Sequence, residues 1–110
     1  MTLSYTVSVG SQTVSDPLPL DPRTNPFSVG FGVVLSAGAS LTYQVEHSFD
    51  DPQATGYDPT TATWFIHSDV NGKTASYDGN YAFPVRAVRL DVTSWSSGTA
   101  TLTLIQAGPI

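Results

Sequence analysis

The chain has no cysteine. That excludes a disulfide framework, a thiolate metal site and a cysteine nucleophile, and it fits a protein made in a reducing cytoplasm. Positive charge is nearly as scarce. Lys73, Arg23, Arg86 and Arg89 are the only cations, set against nine acids, for a net charge of −5. Nucleic-acid binding needs clustered Lys and Arg to neutralise phosphates, so no nucleic-acid partner is expected. No run approaches the ~20 apolar residues that cross a bilayer, and no membrane partner is expected. The opening MTLSYTVSVG has neither a basic start nor a continuous apolar core, so no signal peptide is expected there. Helix formers are thin as well. No window carries apolar residues at i, i+3, i+4 and i+7, and Lys, Glu and Met are scarce.

What fills the chain is Thr, Ser, Val, Gly and Pro, the composition of β structure. Its 110 residues make one domain, 1–110, long enough to bury roughly two-thirds of the unfolded surface without metal or disulfide. The clearest pattern lies in 83–107. Val88, Leu90 and Val92 alternate with Arg89, Asp91 and Thr93, and after a Ser/Gly break Ala100, Leu102 and Leu104 alternate with Thr101, Thr103 and Ile105. Side chains on a strand alternate faces, so each run has one apolar and one polar side, and the pair reads as a long antiparallel hairpin. Residues 29–36 and 41–47, joined by Ala37-Gly38-Ala39, read as a second hairpin. Residues 4–9 and 12–15 read as a small N-terminal one. Gly30 and Gly32 suggest a bulge or close backbone approach in their strand. Residues 63–67 form a short strand. Asn71-Gly72 and Asp78-Gly79 are tight-turn signals, and 81–85 leads into the C-terminal pair, with Pro84 at a strand start or edge.

Seven to eight short antiparallel strands with regular turn signals predict an all-β sandwich. Long connections at 16–27 and 48–62 favour a jelly-roll-like or Greek-key order over a meander. In 16–27, Pro17, Pro19, Pro22 and Pro26 rule out a helix or central strand. The segment is either a crossover between sheets or an extended arm lying on a neighbouring subunit, and Leu18, Leu20, Arg23 and Phe27 are the contacts of such an arm.

No catalytic constellation emerges, and neither a cofactor nor a metal site is expected. His47 and His67 lack metal-ligand spacing and read as edge or loop residues with local hydrogen bonds. Asp50, Asp51 and Asp58 match no calcium loop and read as turn residues. There is no G-x-S-x-G elbow, phosphate loop or dinucleotide fingerprint. Among the aromatics, Trp64 reads as core. Trp95, at a Ser/Gly tip, and Tyr57, in the long loop, are interface candidates, joined by Arg86 and Arg89 on one strand. With Tyr81 they also raise a carbohydrate-binding alternative.

The pieces SFDDP, TATWF, YAFPVRAVRLDVTSW and GTATLTLIQAG, spread over roughly 44–108, resemble small virion proteins of tailed bacteriophages. Some jelly-roll proteins of that kind bind the capsid exterior as cement, staple or decoration subunits. The resemblance implies a non-enzymatic virion protein, made in the host bacterial cytoplasm. Its partner would be the major capsid protein, with a tail or neck role as the neighbouring alternative. It transfers no catalytic residues. Closed symmetry makes a homodimer the favoured self-association, with a trimer also open.

Overall fold

A computed structural model describes residues 2–24 and 27–107. Eight strands run in chain order: β1 (Thr2–Val9), β2 (Leu18–Pro19), β3 (Val29–Leu35), β4 (Ser40–Ser48), β5 (Phe65–Ile66), β6 (Tyr77–Tyr81), β7 (Ala87–Ser97) and β8 (Ala100–Ala107). They form two four-stranded antiparallel sheets, β1-β8-β3-β6 and β2-β7-β4-β5. Every strand pairs with its mirror from the other end of the chain: β1 with β8, β2 with β7, β3 with β6 and β4 with β5. An antiparallel ribbon wrapped round a core gives this order, which is that of a jelly roll.

The expected faces are therefore right, and the expected hairpins are wrong. β7 pairs with β4 and β2, while β8 pairs with β1 and β3. The two runs of the C-terminal stretch lie in opposite sheets and face each other across the core. β3 and β4 are likewise split between sheets. Period-two alternation reports which side of a strand is buried, not which strand lies beside it. The β7–β8 connection crosses between sheets through Gly98, whose φ is +90° and which packs directly on Ala39. A side chain there would meet the Ala39 backbone.

The N-terminal hairpin is also absent. Residues 13–15 continue the β2 edge along β7: Ser15 N donates to Leu90 O at 2.8 Å, and Val92 N to Thr13 O at 3.0 Å. Asp78-Gly79 lies within β6 and is not a turn, whereas Gly72, at φ +63°, does turn the β5–β6 connection. Gly30 and Gly32 sit in regular strand without a bulge or tight approach. The register irregularities fall instead in the β4–β7 ladder, around Leu41 and Thr42. Pro84 lies in the β6–β7 connection, outside any strand.

Val29, Phe31 and Val33 of β3, Leu102 and Leu104 of β8, Tyr43 and Val45 of β4, and Val88, Leu90 and Val92 of β7 fill the space between the sheets. The Pro-rich segment closes one end as a crossover. Leu18, Leu20 and Phe27 are buried in this core, which corrects their assignment as arm contacts: their apolar side chains already have partners within the chain. Gln106, 1% exposed, clamps the segment. Its Oε1 accepts from Asp21 N at 2.8 Å, and its Nε2 donates to Asp21 O at 2.7 Å. Asn25 and Pro26 lie outside the described residues.

Candidate functional site

Alternation on β4 carries Leu41, Tyr43, Val45 and His47 inward in turn. His47 is the last inward position, where the sandwich opens at the β5 edge. Register pairs His47 with Phe65; cross-strand partners share a face, so the two rings stack with centroids 5.9 Å apart. Tyr81, the last residue of β6, arrives from the opposite sheet and places its Oη 2.9 Å from His47 Nδ1. Phe49 from the β4–β5 loop and Phe83 from the β6–β7 connection close on the same imidazole at 5.7 and 5.6 Å. His47 is 7% exposed, yet Phe49, Phe65 and Phe83 are 50, 48 and 49% exposed. The result is a corner of partly bare aromatic rings laid over a buried histidine.

His67 supports the corner from beneath. Its Nε2 donates to Asn80 O at 2.9 Å, and its Nδ1 accepts from Asp69 N at 3.1 Å. It packs edge-on against Phe31 and Tyr81. Gly79 makes the space: a β-carbon there would lie 2.8 Å from Phe31 Cζ and 3.3 Å from His67 Cε1. Both histidines are buried; His67 is, as expected, a loop residue with a local hydrogen bond, whereas His47 lies on the inner strand β4 and bonds across to Tyr81 of the other sheet. They are buried because a sandwich end lined by Phe31 and Tyr81 leaves flat gaps that an imidazole fills. Burial holds the His47 imidazole below its ordinary range, and the nearby His67 adds to this. Among the described residues, neither histidine hydrogen-bonds a carboxylate or a serine, as a hydrolytic triad requires. No cluster of three metal-ligating side chains occurs among them.

The outer face of the second sheet carries a polar cluster that the long loop covers. Arg89 Nε donates to Glu46 Oε1 at 2.7 Å, and its guanidinium lies 4.1 Å from the centre of the Trp64 ring. Gln44 Nε2 donates to Glu46 and also reaches Asp91 Oδ2. Burial pushes the Asp91 carboxyl up to about 6, helped by its hydrogen bond to Glu46 and by that neighbour's charge. Burial alone would raise Glu46 too, but bonds from Asp91, Gln44 and Arg89 outweigh it and hold Glu46 below its ordinary range. Asp91 therefore holds its proton more tightly than an ordinary aspartate, while Glu46 ionises more readily than an ordinary glutamate. The loop above is tied by its own aspartates. Asp51 accepts from Gln53 N, Asp58 from Thr60 N and Oγ1, and Asp50 from Thr63 N.

The eight residues singled out from the sequence do not converge. Leu18, Leu20 and Phe27 are core. Arg89, with a side chain 15% exposed, is held by Glu46 and Trp64 and is not free for a partner. Tyr57 is half-buried, its hydroxyl enclosed without a hydrogen-bond partner. Trp64 covers Arg89 on the outer face and so is not a core residue; its Nε1 donates to Pro59 O. Trp95 lies within β7 opposite Leu41, not at the turn, with its Nε1 on Gly98 O. Tyr81 is fully buried, so Trp95, Tyr57 and Tyr81 form no common sugar platform. Arg23 and Arg86 come together with Leu20, lining an open groove of about 560 Å³ with Leu3, Tyr5 and Gln106, and each arginine lies beside an aspartate: Asp21 at 3.5 Å and Asp51 at 3.6 Å. Phe49, Phe65 and Phe83 were not singled out. Phe49 stands just before the Asp-Asp-Pro turn and Phe83 just before Pro84, while Phe65 lies inside a short strand and carries no such signal.

No protein-family model matches the chain, and no curated protein matches it. Six solved chains match. One comes from Bacillus endospore appendages, described as a novel family of disulfide-linked pili; it is 12% identical, with a TM-score of 0.39, across 99% of this chain and 88% of that one. A likeness at that level carries no functional argument.

Proposed function

We propose that this chain is a non-enzymatic structural protein of a bacteriophage virion, a decoration subunit that binds the major capsid protein on the shell exterior and stabilises it. The observation that carries this reading is the aromatic corner. Three phenylalanines, each about half exposed, converge on one small area, and contiguous bare apolar surface on a small domain marks an interaction site. Covering the exposed halves of three rings contributes about 1 kcal/mol apiece, enough to anchor a contact that recurs at every lattice position. The resemblance supports the same place. Phe49 comes from SFDDP, Phe65 from TATWF and Phe83 from YAFPV, three of the pieces that resemble phage virion proteins.

The test has two parts. Mass spectrometry and cryo-electron microscopy of purified particles should find the chain on the shell in high copy; absence, or a handful of copies at a tail or neck, refutes decoration. With purified shells, Phe65→Ser/Phe83→Ser should weaken binding at least tenfold at a temperature where its far-UV spectrum matches that of the wild type. Binding that survives the double substitution refutes the corner as the contact.

A further inference from the structure

Sheet edges expose unpaired backbone donors and acceptors, and folded proteins normally defend them with short strands, prolines, charges, bulges or a covering segment. Three of the four edges here are defended. β2 and β5 are two residues each, and β2 contains Pro19. β6 carries Asp78, and the Asn80 carbonyl is occupied by His67. β1 has none of these devices. It is eight residues long, TLSYTVSV, without charge, proline or glycine. Its register with β8 runs unbroken from Thr2↔Ala107 to Val9↔Ala100. Among the described residues, no segment other than β8 pairs with it.

The side chains indicate what kind of strand fits. Leu3, Tyr5 and Val7 turn toward the interior but remain only partly buried, because no strand lies beyond them. Ser4, Thr6 and Ser8 face solvent. A second β1 laid antiparallel with Tyr5 opposite Tyr5 brings Leu3 opposite Val7 and Ser4 opposite Thr6. Apolar then meets apolar on one face, and hydroxyl meets hydroxyl on the other. The second kind of pair already exists one strand over, where Ser8 Oγ and Thr101 Oγ1 are 2.9 Å apart. The groove beside Leu3 and Tyr5 leaves room for an incoming ring. Two chains each at −5 repel, but neither β1 nor the facing β8 positions Thr101, Thr103 and Ile105 carry any of that charge.

We propose that two copies of this chain join edge to edge through β1, antiparallel about a two-fold axis at Tyr5, making one continuous eight-stranded sheet. Such an interface is self-complementary, as a two-fold contact must be, and backbone hydrogen bonds supply its affinity. It lies on the edge opposite β5 and β6, so it leaves the aromatic corner free and does not depend on what that corner binds.

Sedimentation velocity and light scattering of the full chain, from micromolar to submillimolar, test this. The wild type should be a dimer. Ser4→Lys/Thr6→Lys, two changes at exposed positions, should be monomeric throughout, with an unchanged far-UV spectrum and unfolding midpoint. Ser4→Glu/Thr6→Lys should be a dimer again, because residue 4 of one copy then meets the opposite charge at residue 6 of the other. A wild type that stays monomeric, or a dimer untouched by the two lysines, overturns the proposal. If the Glu/Lys chain stays monomeric, the Tyr5-centred register is overturned. Phe65→Ser/Phe83→Ser should remain dimeric; loss of the dimer there overturns the assignment of the interface to β1.

Discussion

Replacing Asp91 with asparagine should stabilise the protein above pH 6 and leave it unchanged near pH 4. Asp91 and Glu46 lie on adjacent strands, with Gln44 reaching both and Arg89 bound to Glu46. In the folded chain Asp91 releases its proton only at about 6, well above an unfolded aspartate. Between about pH 4 and 6 the native state therefore holds a proton that the unfolded state has lost. Stability falls as pH rises through that window, and the loss is complete above it. At about 1.4 kcal/mol for each tenfold change in proton affinity, the ceiling is about 3 kcal/mol. Asp91 is only partly buried, and solvent screening reduces this to about 1–2 kcal/mol. The asparagine keeps the shape, carries no charge and can still donate to Glu46.

Urea unfolding followed by tryptophan fluorescence, at steps from pH 4 to 8, measures the difference; Trp64, stacked on Arg89, reports on the cluster itself. The expected result is a gap in unfolding free energy that opens between about pH 4 and 6 and then stays flat, at an unchanged m-value. His47, whose proton affinity burial also shifts, is present in both proteins and cancels in the difference. A gap independent of pH, or an asparagine variant less stable than wild type at pH 8, would refute the raised proton affinity of Asp91.

Asp91→Asn also provides a background for His47, whose folded imidazole binds its proton less readily than the unfolded one. In that background stability should be constant above about pH 6.5 and fall as pH drops below it, because the unfolded state takes up a proton the native state resists; His47→Phe should flatten the fall. Gly79→Ala drives a methyl into Phe31 and should cost about 1–3 kcal/mol in chemical denaturation. Gln106→Leu leaves the Asp21 N–H and C=O without their clamp and should cost about 1–3 kcal/mol, with faster proteolysis in 20–24 as a second readout.

How much of this was legible beforehand divides along a physical line. The inward faces of β4, β7 and β8 follow from alternation, because burial acts on each residue locally. Pairing does not follow. Leu102 and Leu104 alternate in the same way whether β8 lies beside β7 or across the core from it, and a short glycine connection serves either geometry. Gly98 crosses between sheets where a hairpin turn was expected. The aromatic corner stayed hidden for the same reason. Phe49, Phe65 and Phe83 are separated by sixteen and eighteen positions, and only the β4–β5 register and the return of β6 beside His47 bring them together.

The cations show how scarcity misleads. With four positive residues in the chain, the three arginines looked like surface kept for a partner. Scarcity works the other way in a sandwich rich in acids. Arg89 is used by Glu46 and Trp64, Arg86 by Asp51 and Arg23 by Asp21, while Lys73 lies 4.2 Å from the centre of the Tyr77 ring. Two of the three ion pairs have side chains at least 44% exposed and contribute little stability, yet they still place an acid beside each arginine. The aromatic corner and the β1 edge are both built without cations, one from bare rings and the other from hydroxyls and backbone. Contacts of that kind depend on shape and burial more than on charge. Binding at either surface should therefore change little with added salt, whereas a contact made through Arg23, Arg86 or Arg89 would weaken steeply as salt rises.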